Sequence, residues 1–260
     1  MPDSSQVLTE TVSGVLTITL NQPAHFNALT QVMSMELAAA LRAAERDASV
    51  RVIVLTGAGK AFCSGADITE FNVADEPLDL GEHLRTGLNP LTLRVRSMDK
   101  PVLAAINGVA AGAGLSLALA CDLRYAAESA RLVVAFVKIG LVPDAGCLYF
   151  LPRLVGPGKA LEMSWTGDPV GAQEAYSLGL VNQVLPEDAV LAHTQAIAAR
   201  LACGPAATLG LIKRAINQSH ELPLERVLDL EANYQTLAAR HPNFAEGVAA
   251  FKAKRPPKFS

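Results

Sequence analysis

Two short segments place small residues where a catalytic side chain could stand. "CSGAD" (63–67) follows the apolar run "RVIVLTG" after a Gly-rich turn, and "AAGAG" (110–114) follows a second apolar run, "KPVLAAING". Each segment can open a helix or a turn with exposed backbone N–H groups. Two such donors that converge on one point would stabilise an oxygen atom as it becomes negatively charged. The spacing does not require convergence, and packing of small residues in the core explains each segment taken singly.

The glycine-rich segments do not match the common nucleotide-binding motifs. "GAGK" at Gly57–Lys60 lacks the spacing of a P-loop, and "GAG" at Gly112–Gly114 lacks the third glycine of the dinucleotide fingerprint. Tight turns and close packing of a helix against a strand account for both segments. The sequence therefore gives no support for a nucleotide-dependent enzyme.

The elements around these segments alternate between strands and helices. "VLTITLNQP" predicts a strand that ends in a turn at Pro23, and "TQVMSMELAAALRAAERD" predicts a helix with Thr30 as its N-cap. The strand "VRVIVLTG" completes a β-α-β unit, which implies parallel strands and a right-handed crossover. A helical stretch reaching Met98 then leads to the buried strand "KPVLAAING", its Asn-Gly turn and the small-residue helix "AAGAGLSLALACD". Functional groups of open α/β folds gather at the carboxyl ends of such strands.

The second half of the chain turns from strands to helices. "LRYAAESARLVV" predicts further strand with a tight turn near Glu128–Ser129, and helices with short links follow from about Pro143. The predicted helices are "CLYFLPRLVG", "GKALEMSW", "GAQEAYSLGLVNQVL", "DAVLAHTQAIAARLA" and "AATLGLIKRAINQS". The final segment from Leu224 is amphipathic and ends basic, which predicts helices that pack on another surface, with a second subunit as one candidate.

Length, composition and charge describe a globular chain. Its 260 residues, half of them hydrophobic and 18% charged, suffice for one large α/β domain or a core domain with a small appendage. The formal net charge of -3 offers no long-range attraction to nucleic acid or to an anionic membrane, so we expect neither as a partner. The N-terminal residues form no signal-peptide pattern, and no later run of about 18 apolar residues is uninterrupted, which predicts a cytoplasmic protein.

The four cysteines favour core thiols over a metal site or a disulfide scaffold. Cys63, Cys121, Cys147 and Cys203 show no C-x-x-C spacing and are sparse for a chain of this length. We therefore expect neither a zinc site nor a redox cofactor.

Five motifs, in order along nearly the whole chain, carry a resemblance to a known family. They are "HFNAL" (25–29), "GKAFCSGADI" (59–68), "KPVLAAINGVAAGAGLSLALACDLRYAAESARL" (100–132), "KIGLVPDAG" (138–146) and the terminal "AFKAKRPPKF". Together they resemble the enoyl-CoA hydratase/isomerase family, also called the crotonase superfamily. The resemblance implies an α/β fold, the ClpP/crotonase-like β-β-α spiral core, over residues 1–200. It also implies a C-terminal helical trimerisation region over residues 201–260, and thus a homotrimer or a dimer of trimers.

The resemblance further implies an acyl-CoA thioester as the ligand and a thioester enolate as the reaction intermediate. The backbone N–H groups of Ala66 and Ala113 would form the oxyanion hole, where small side chains let the thioester carbonyl approach the backbone. One such donor is commonly worth about 3 kcal/mol of activation free energy. Coenzyme A is part of the substrate, so no separate cofactor is implied.

One carboxylate stands out once the hydratases of the family are considered. They carry two glutamates, and Ser116 and Phe136 occupy the corresponding positions here. Phe136 cannot transfer a proton, and Ser116 is a poor general acid–base group without an activating partner. Asp144, in "GLVPDAG", remains, and this segment resembles the family branch of 2-(1,2-epoxy-1,2-dihydrophenyl)acetyl-CoA isomerases, in which an aspartate here acts as acid–base. A turn or helix N-cap is the structural alternative for Asp144, and the two roles are compatible.

These residues favour an acyl-CoA isomerase with Asp144 as its acid–base group. Two alternatives stay open at this point: an enoyl-CoA hydratase that adds water to a 2-enoyl-CoA, and a weakly catalytic CoA-ester-binding subunit of a multienzyme complex. The second alternative applies if Asp144 only caps a helix. Asp67 and Asp122 are expected to be structural.

The resemblance also assigns the remaining binding residues. His25 or Lys60 would pair with the CoA phosphates, and the adenine would lie near Ala24, Ala66 and Ile68, next to Asp67. Phe251 and Lys252 of the C-terminal segment would approach the CoA of the same or a neighbouring subunit. The segment from Phe71 to Leu91 would form one wall of the acyl pocket. The remaining acyl-pocket residues would be Leu115, Phe136, Val137 and Leu141.

Overall fold

Two β-sheets form the centre of the fold. The computed structural model describes residues 5–70 and 79–260, and every bound below refers to those residues. In chain order the strands are β1 (Val7–Val12), β2 (Val15–Leu20), β3 (Val52–Gly57), β4 (Ala61–Cys63), β5 (Val102–Ile106), β6 (Val109–Ala111), β7 (Leu123–Ala127), β8 (Arg131–Val133), β9 (Val170–Gly171) and β10 (Gln183–Leu185). The larger sheet has the order β1-β2-β3-β5-β7-β10, and the smaller has the order β4-β6-β8-β9. Only β1 with β2 and β8 with β9 pair antiparallel within these sheets.

The helices surround these sheets and continue beyond them. In chain order they are α1 (Gln31–Arg46), α2 (Leu80–His83), α3 (Asn89–Ser97), α4 (Ala113–Ala120), α5 (Cys147–Thr166), α6 (Ala172–Ser177), α7 (Val190–Ala202), α8 (Ala206–Ser219), α9 (Leu224–Arg240) and α10 (Pro242–Lys252). A π-helical turn joins α2 to α3, and short 3-10 turns span Pro23–His25, Ile68–Glu70 and Ala135–Ile139. The helix α5 is interrupted at Gly156, whose backbone is not helical.

The chain repeats one unit three times. Each of β3, β5 and β7 adds a strand to the larger sheet, and the next strand, β4, β6 or β8, adds to the smaller one. A helical segment follows each pair: α2 with α3, then α4, then α5. This repetition is the β-β-α spiral that the resemblance implied.

Hydrophobic patterning explains why these segments pack as they do. β3 and β5 are buried along almost their whole length because both faces of the larger sheet are covered. On one face α7 packs against Val52, Val54 and Leu103, and on the other lie α1, α3 and α4. Thr30 caps α1 as predicted, since its hydroxyl accepts a hydrogen bond of 3.0 Å from the Met33 N–H.

One part of the predicted secondary structure was wrong. The segment 171–185 was predicted as one helix, but α6 ends at Ser177 and the segment closes with β10, which pairs in parallel with β7. The difference arises because a strand distant in sequence supplies the hydrogen bonds of β10. The predicted strands with a turn at Glu128–Ser129 are confirmed as β7 and β8, which belong to different sheets.

The C-terminal helices contact the core through a buried charged cluster. The Lys213 Nζ on α8 lies 2.8 Å from Asp122 Oδ2 and donates to the carbonyl oxygens of Val95 and Lys100. Asp122 also accepts from the Val102 N–H, so its predicted structural role is confirmed. α9 has no buried residue in this single chain. The boundary at residues 200 and 201, within α7, stays a prediction.

Within residues 5–70 and 79–260, no single helix has both the length and the apolar content to cross a membrane. α7 and α8, bent by 110° where they join, reach that length and composition only when taken together.

Candidate active site

One large cavity opens where the spiral turns meet. Its volume is about 860 Å³, within the range of roughly 300–1,000 Å³ that is typical of small-molecule sites. Five parts of the chain supply its lining residues: 24–28, 64–69, 80–88, 112–113 and 135–144. The two small-residue segments singled out in the sequence are therefore brought together in one cavity.

The pairing of β4 with β6 explains why these two segments meet. The strands are parallel neighbours in the smaller sheet, with Ala61 opposite Val109, so the turns that follow leave the same edge of the sheet. Gly65 lies so close to the second turn that a Cβ atom on it would be 3.0 Å from Ala111 O and 3.4 Å from Ala113 N. Its φ of +107° also favours glycine. A side chain at this position would push the two turns apart.

The backbone N–H groups of Ala66 and Ala113 are free of the surrounding ladders. Leu29 donates to the Gly65 carbonyl and accepts from the Asp67 N–H, so the Ala66 N–H between them points to the opposite side of this extended segment. Ala113 is the first residue of α4, and the first N–H groups of a helix have no partner within it. Both alanines line the cavity. Their assignment as an oxyanion hole stays a prediction that this geometry permits.

The segment Gly112–Gly114 also packs closely against a strand, as expected from its sequence. Gly114 on α4 faces β4, where any Cβ atom would collide with the carbonyl oxygen and side chain of Cys63. Glycine at this position lets α4 approach the strand closely, which brings its N-terminus to the cavity.

Asp144 also lines the cavity. Among the described residues its Oδ1 atom is buried without a hydrogen-bond partner. Burial raises the pKa of this carboxyl group to about 6, because a charged carboxylate is less stable away from water. The helix α5 begins at Cys147 with Gly146 as its cap residue, so Asp144 is not the N-cap residue of this helix. Asp144 does lie in a turn, as the structural alternative expected, because its carbonyl accepts from the Cys147 N–H.

A second carboxylate in the cavity, Asp67, has the opposite environment. Its Oδ1 accepts hydrogen bonds from the Thr69 hydroxyl at 2.6 Å and the Thr69 N–H at 3.0 Å. These bonds hold the pKa of Asp67 below its usual range. Two carboxyl groups whose surroundings move their pKa values apart are a common arrangement in acid–base sites. Asp67 structures its turn, as predicted, and leaves Asp144 as the carboxylate suited to proton transfer.

Comparison with protein families gives a match over nearly the whole chain. The family model described as enoyl-CoA hydratase/isomerase matches residues 10–260. The chain belongs to the enoyl-CoA hydratase/isomerase family.

Members of the enoyl-CoA hydratase/isomerase family with different activities resemble the chain over almost its whole length. The 1,2-epoxyphenylacetyl-CoA isomerase of Escherichia coli (strain K12) is 42% identical over 98% of both chains. The Rhodobacter capsulatus protein named "Probable enoyl-CoA hydratase" is 45% identical over 96% of both chains. The family supports an enzyme, and its members that resemble this chain include both isomerases and hydratases.

A solved structure from the family has the same fold. The enoyl-CoA hydratase from Bacillus anthracis superposes with a TM-score of 0.92 at 35% identity, covering 98% of both chains. The crotonase fold predicted from the resemblance is thus confirmed, whereas a trimerising role of the C-terminal helices stays a prediction.

The residues that the family resemblance assigns to CoA binding divide into two groups. Ala24, His25, Asp67 and Ile68 line the cavity, together with Ala66. Lys60, Phe251 and Lys252 lie outside its lining: Lys60 is exposed in the turn between β3 and β4, and Phe251, near the end of α10, is 85% exposed. The single chain thus provides no contact between these three residues and the cavity.

The predicted acyl-pocket residues also divide. Phe136 and Leu141 line the cavity, but Leu115 and Val137 do not. Leu115 is fully buried in the core because α4 is covered on all sides, and Val137 lies beside Gly167 at the end of α5. Of the predicted wall from Phe71 to Leu91, residues 71–78 lie outside the described residues. Within the described part, the apolar side chains that line the cavity are Leu80, Leu84 and Leu88.

Two basic residues of the cavity were not singled out from the sequence. Lys138 lines it from the turn after β8, and His83 lines it from α2. Lys138 lies between Phe136 and Leu141, both of which were assigned to the pocket, so its position in the chain was an available signal. His83 had no signal in the sequence, because only the fold brings α2 to the cavity.

Ser116 and Phe136, which the resemblance places at the positions of the hydratase glutamates, have other contacts in this structure. Ser116 is fully buried, and its hydroxyl contacts the carbonyl oxygens of Gly112 and Asp144 at 3.2 and 2.9 Å. Phe136 contributes an apolar surface to the cavity. In the described part of the chain, no group of three or more His, Cys, Asp or Glu side chains could hold a metal ion.

Proposed function

We propose that the protein is an acyl-CoA isomerase in which Asp144 transfers the proton. The observation that carries this proposal is the buried Asp144 Oδ1 atom, which has no hydrogen-bond partner among the described residues, in the cavity that Ala66 and Ala113 also line. A base with a raised pKa in one cavity with two backbone donors is suited to forming an enolate from a thioester.

In the proposed reaction, the thioester oxygen of a 3-enoyl-CoA accepts hydrogen bonds from the Ala66 and Ala113 N–H groups. Asp144 removes a proton from C2, and the electron pair of the broken C–H bond moves into an enolate whose negative charge lies on the thioester oxygen. The protonated Asp144 then returns the proton to C4, and the double bond moves from between C3 and C4 to between C2 and C3. Atoms and charge balance without any further reactant.

The two former glutamate positions support isomerisation over hydration. Addition of water by two glutamates would need carboxylates where Ser116 and Phe136 stand. The Ser116 hydroxyl is engaged with backbone carbonyl oxygens, and Phe136 carries no exchangeable proton. One carboxylate suffices to remove a proton and return it. The 42% identity to the E. coli 1,2-epoxyphenylacetyl-CoA isomerase is consistent with this choice and suggests a ring-bearing substrate of phenylacetate breakdown.

The likeness to the R. capsulatus protein favours enoyl-CoA hydration as the second candidate. In that case Asp144 would position the attacking water. A CoA-ester-binding subunit with little chemistry is the third candidate, and it depends on Asp144 capping a helix, whereas Asp144 is not the N-cap residue of α5.

The deciding experiment is mass spectrometry of the products formed in D2O. Wild type and Asp144→Asn are incubated separately with 3-enoyl-CoA, 2-enoyl-CoA and the ring epoxide of phenylacetyl-CoA. An isomeric product that differs from substrate only by deuterium exchange, and that the substitution abolishes, supports the proposal. A product heavier by one water supports hydration, and tight ester binding without any product supports the third candidate.

We also propose how CoA and neighbouring subunits relate to this site. His25, with Ala24 and Ile68, would hold the adenine and phosphate end, and Lys138 adds a cation at the same cavity. The exposed apolar residues of α9 and α10, Leu224, Leu228, Leu237, Phe244 and Phe251, support the predicted trimer or dimer of trimers. Light scattering during size-exclusion chromatography measures that state. A cytoplasmic location stays a prediction.

A further inference from the structure

The turn that carries Asp144 adopts a backbone conformation that needs external support. Ala145 and Gly146 follow Asp144 with φ angles of +48° and +91°. An alanine in the left-handed region is uncommon and persists where surrounding contacts determine its conformation. The direction in which the Asp144 side chain leaves the backbone therefore depends on what holds this turn.

Two hydroxyl groups from different helices hold the turn by its carbonyl oxygens. The Thr92 hydroxyl on α3 donates to the Ala145 carbonyl at 2.9 Å, and the Ser116 hydroxyl on α4 lies 2.9 Å from the Asp144 carbonyl. Both side chains are buried, so these bonds form away from competing water. The Thr92 methyl group also lies against Gly146, where a Cβ atom would be 3.0 Å from it.

The supporting bonds reach the backbone of the turn and leave the carboxylate alone. Asp144 Oδ1 has no partner in the described part of the chain, although Ser116 donates to the carbonyl of Asp144 itself and Thr92 donates to the carbonyl of the next residue, Ala145. A hydroxyl bonded to the carboxylate itself would stabilise its charged form and make it a weaker base. The arrangement therefore fixes the position of the base without reducing its basicity.

We propose that Thr92 and Ser116 are positioning residues that hold the Asp144 turn so that its carboxylate faces the bound thioester. This inference rests on the proposed function, because it assigns their effect to proton transfer by Asp144. A displacement of about 1 Å at a reacting group can lower a rate by about 100-fold. Loss of one of two supporting bonds should have a smaller effect.

The first test compares two substitutions of Thr92 in the isomerisation of 3-enoyl-CoA. Thr92→Val keeps the shape but removes the hydroxyl, and we expect kcat to fall about 10-fold with KM within twofold of wild type. Thr92→Ser keeps the hydroxyl and should recover most of that loss. Equal kcat values for the two variants would overturn the proposal for Thr92. Circular dichroism confirms that each variant is folded.

The second test uses Ser116→Ala, which also serves if Thr92→Val does not fold. We again expect about a 10-fold lower kcat at unchanged KM, because the Asp144 carbonyl keeps only its bond from the Cys147 N–H. A rise in KM with unchanged kcat would show that Ser116 shapes the substrate-binding cavity instead, and would overturn its positioning role.

A double-mutant cycle separates this proposal from the proposed function itself. If Thr92 acts through Asp144, Thr92→Val should cost nothing further in the residual activity of Asp144→Asn. A full 10-fold additional loss in that background would overturn the positioning role while leaving Asp144 as the base. Normal activity of Asp144→Asn alone would overturn the proposed function, and that result is read independently of any change at Thr92.

Discussion

Alanine at position 65 should separate the two turns that meet at the cavity. The new Cβ atom would lie 3.0 Å from Ala111 O and 3.4 Å from Ala113 N, so one turn has to move by a few tenths of an ångström or more. The moved group includes the N–H of Ala113, which we assign to the developing oxyanion. We therefore expect the Gly65→Ala enzyme to bind its substrate but to stabilise the enolate poorly.

The expected loss follows from the energy of one such donor. Complete removal of an oxyanion donor costs about 10²–10³ in kcat, and a displaced donor should cost less. We expect kcat to fall about 10- to 100-fold, equivalent to about 1.4–2.8 kcal/mol of activation free energy. The φ of +107° at Gly65 adds a loss of stability of about 1–3 kcal/mol, which has to be measured separately.

Gly156→Ala provides the matched control for Gly65→Ala. Gly156 also has a positive φ, +76°, but no described atom lies within 4 Å of a Cβ atom built there, and it is remote from the cavity lining. Both variants should lose stability in thermal unfolding, whereas only Gly65→Ala should lose kcat in the isomerisation assay. If kcat for Gly65→Ala equals that for Gly156→Ala, the assigned oxyanion hole is wrong.

Four further measurements test the charges and buried polar groups. Activity should rise with pH through an apparent pKa of about 6, since the Asp144 carboxylate must be ionised, and a flat profile from pH 5 to 8 would contradict this. Because its folded pKa lies above the unfolded value of 3.8, the stability that Asp144 contributes is present below that value and lost as pH rises through about 6. Asp144→Asn should therefore raise the unfolding free energy at pH 8, by about 1 kcal/mol after allowance for solvent screening, and an unchanged urea midpoint would count against it. Lys213→Met should lower the unfolding free energy measured in urea by about 2–4 kcal/mol, because Asp122 loses its nearest cation. A change below about 0.5 kcal/mol, which is typical of a surface substitution, would refute this expectation. Asn27→Asp should cost about 2–4 kcal/mol in the same assay, because it replaces the amide that donates to Ala58 O and Ala61 O, and wild-type stability would refute it.

The strands β2, β3, β5 and β7 of the larger sheet, and the first helix, could be predicted because their patterns extend over several residues, whereas the edge strands β1 and β10 were not predicted. Sixteen residues of α1 repeat buried positions at helical spacing, and Thr30 marks where they begin. The smaller sheet could not be predicted, since β4, β6 and β8 have three residues each and their partner β9 has two. Strands this short give no measurable alternation.

In the candidate site, too, single residues could be recognised from the sequence, but contacts between distant segments could not. The position of Asp144 in the chain was recognisable, but the turn that carries it is bonded by Thr92 on α3 and Ser116 on α4, and these contacts are distant in sequence. α4 is buried on every side, so its sequence gives no amphipathic face, and Leu115 could not be assigned to the core or the cavity from periodicity.

The parallel pairing of β4 with β6 lets the acyl specificity of the site change in evolution independently of the two backbone turns. The two turns that follow these strands are held by backbone hydrogen bonds, which most side-chain substitutions leave intact. Mutations in the apolar wall around Leu84, Phe136 and Leu141 can therefore change which acyl group fits without moving the Ala66 and Ala113 N–H groups. Such a scaffold can acquire new substrates by single substitutions while it retains the capacity to stabilise an enolate.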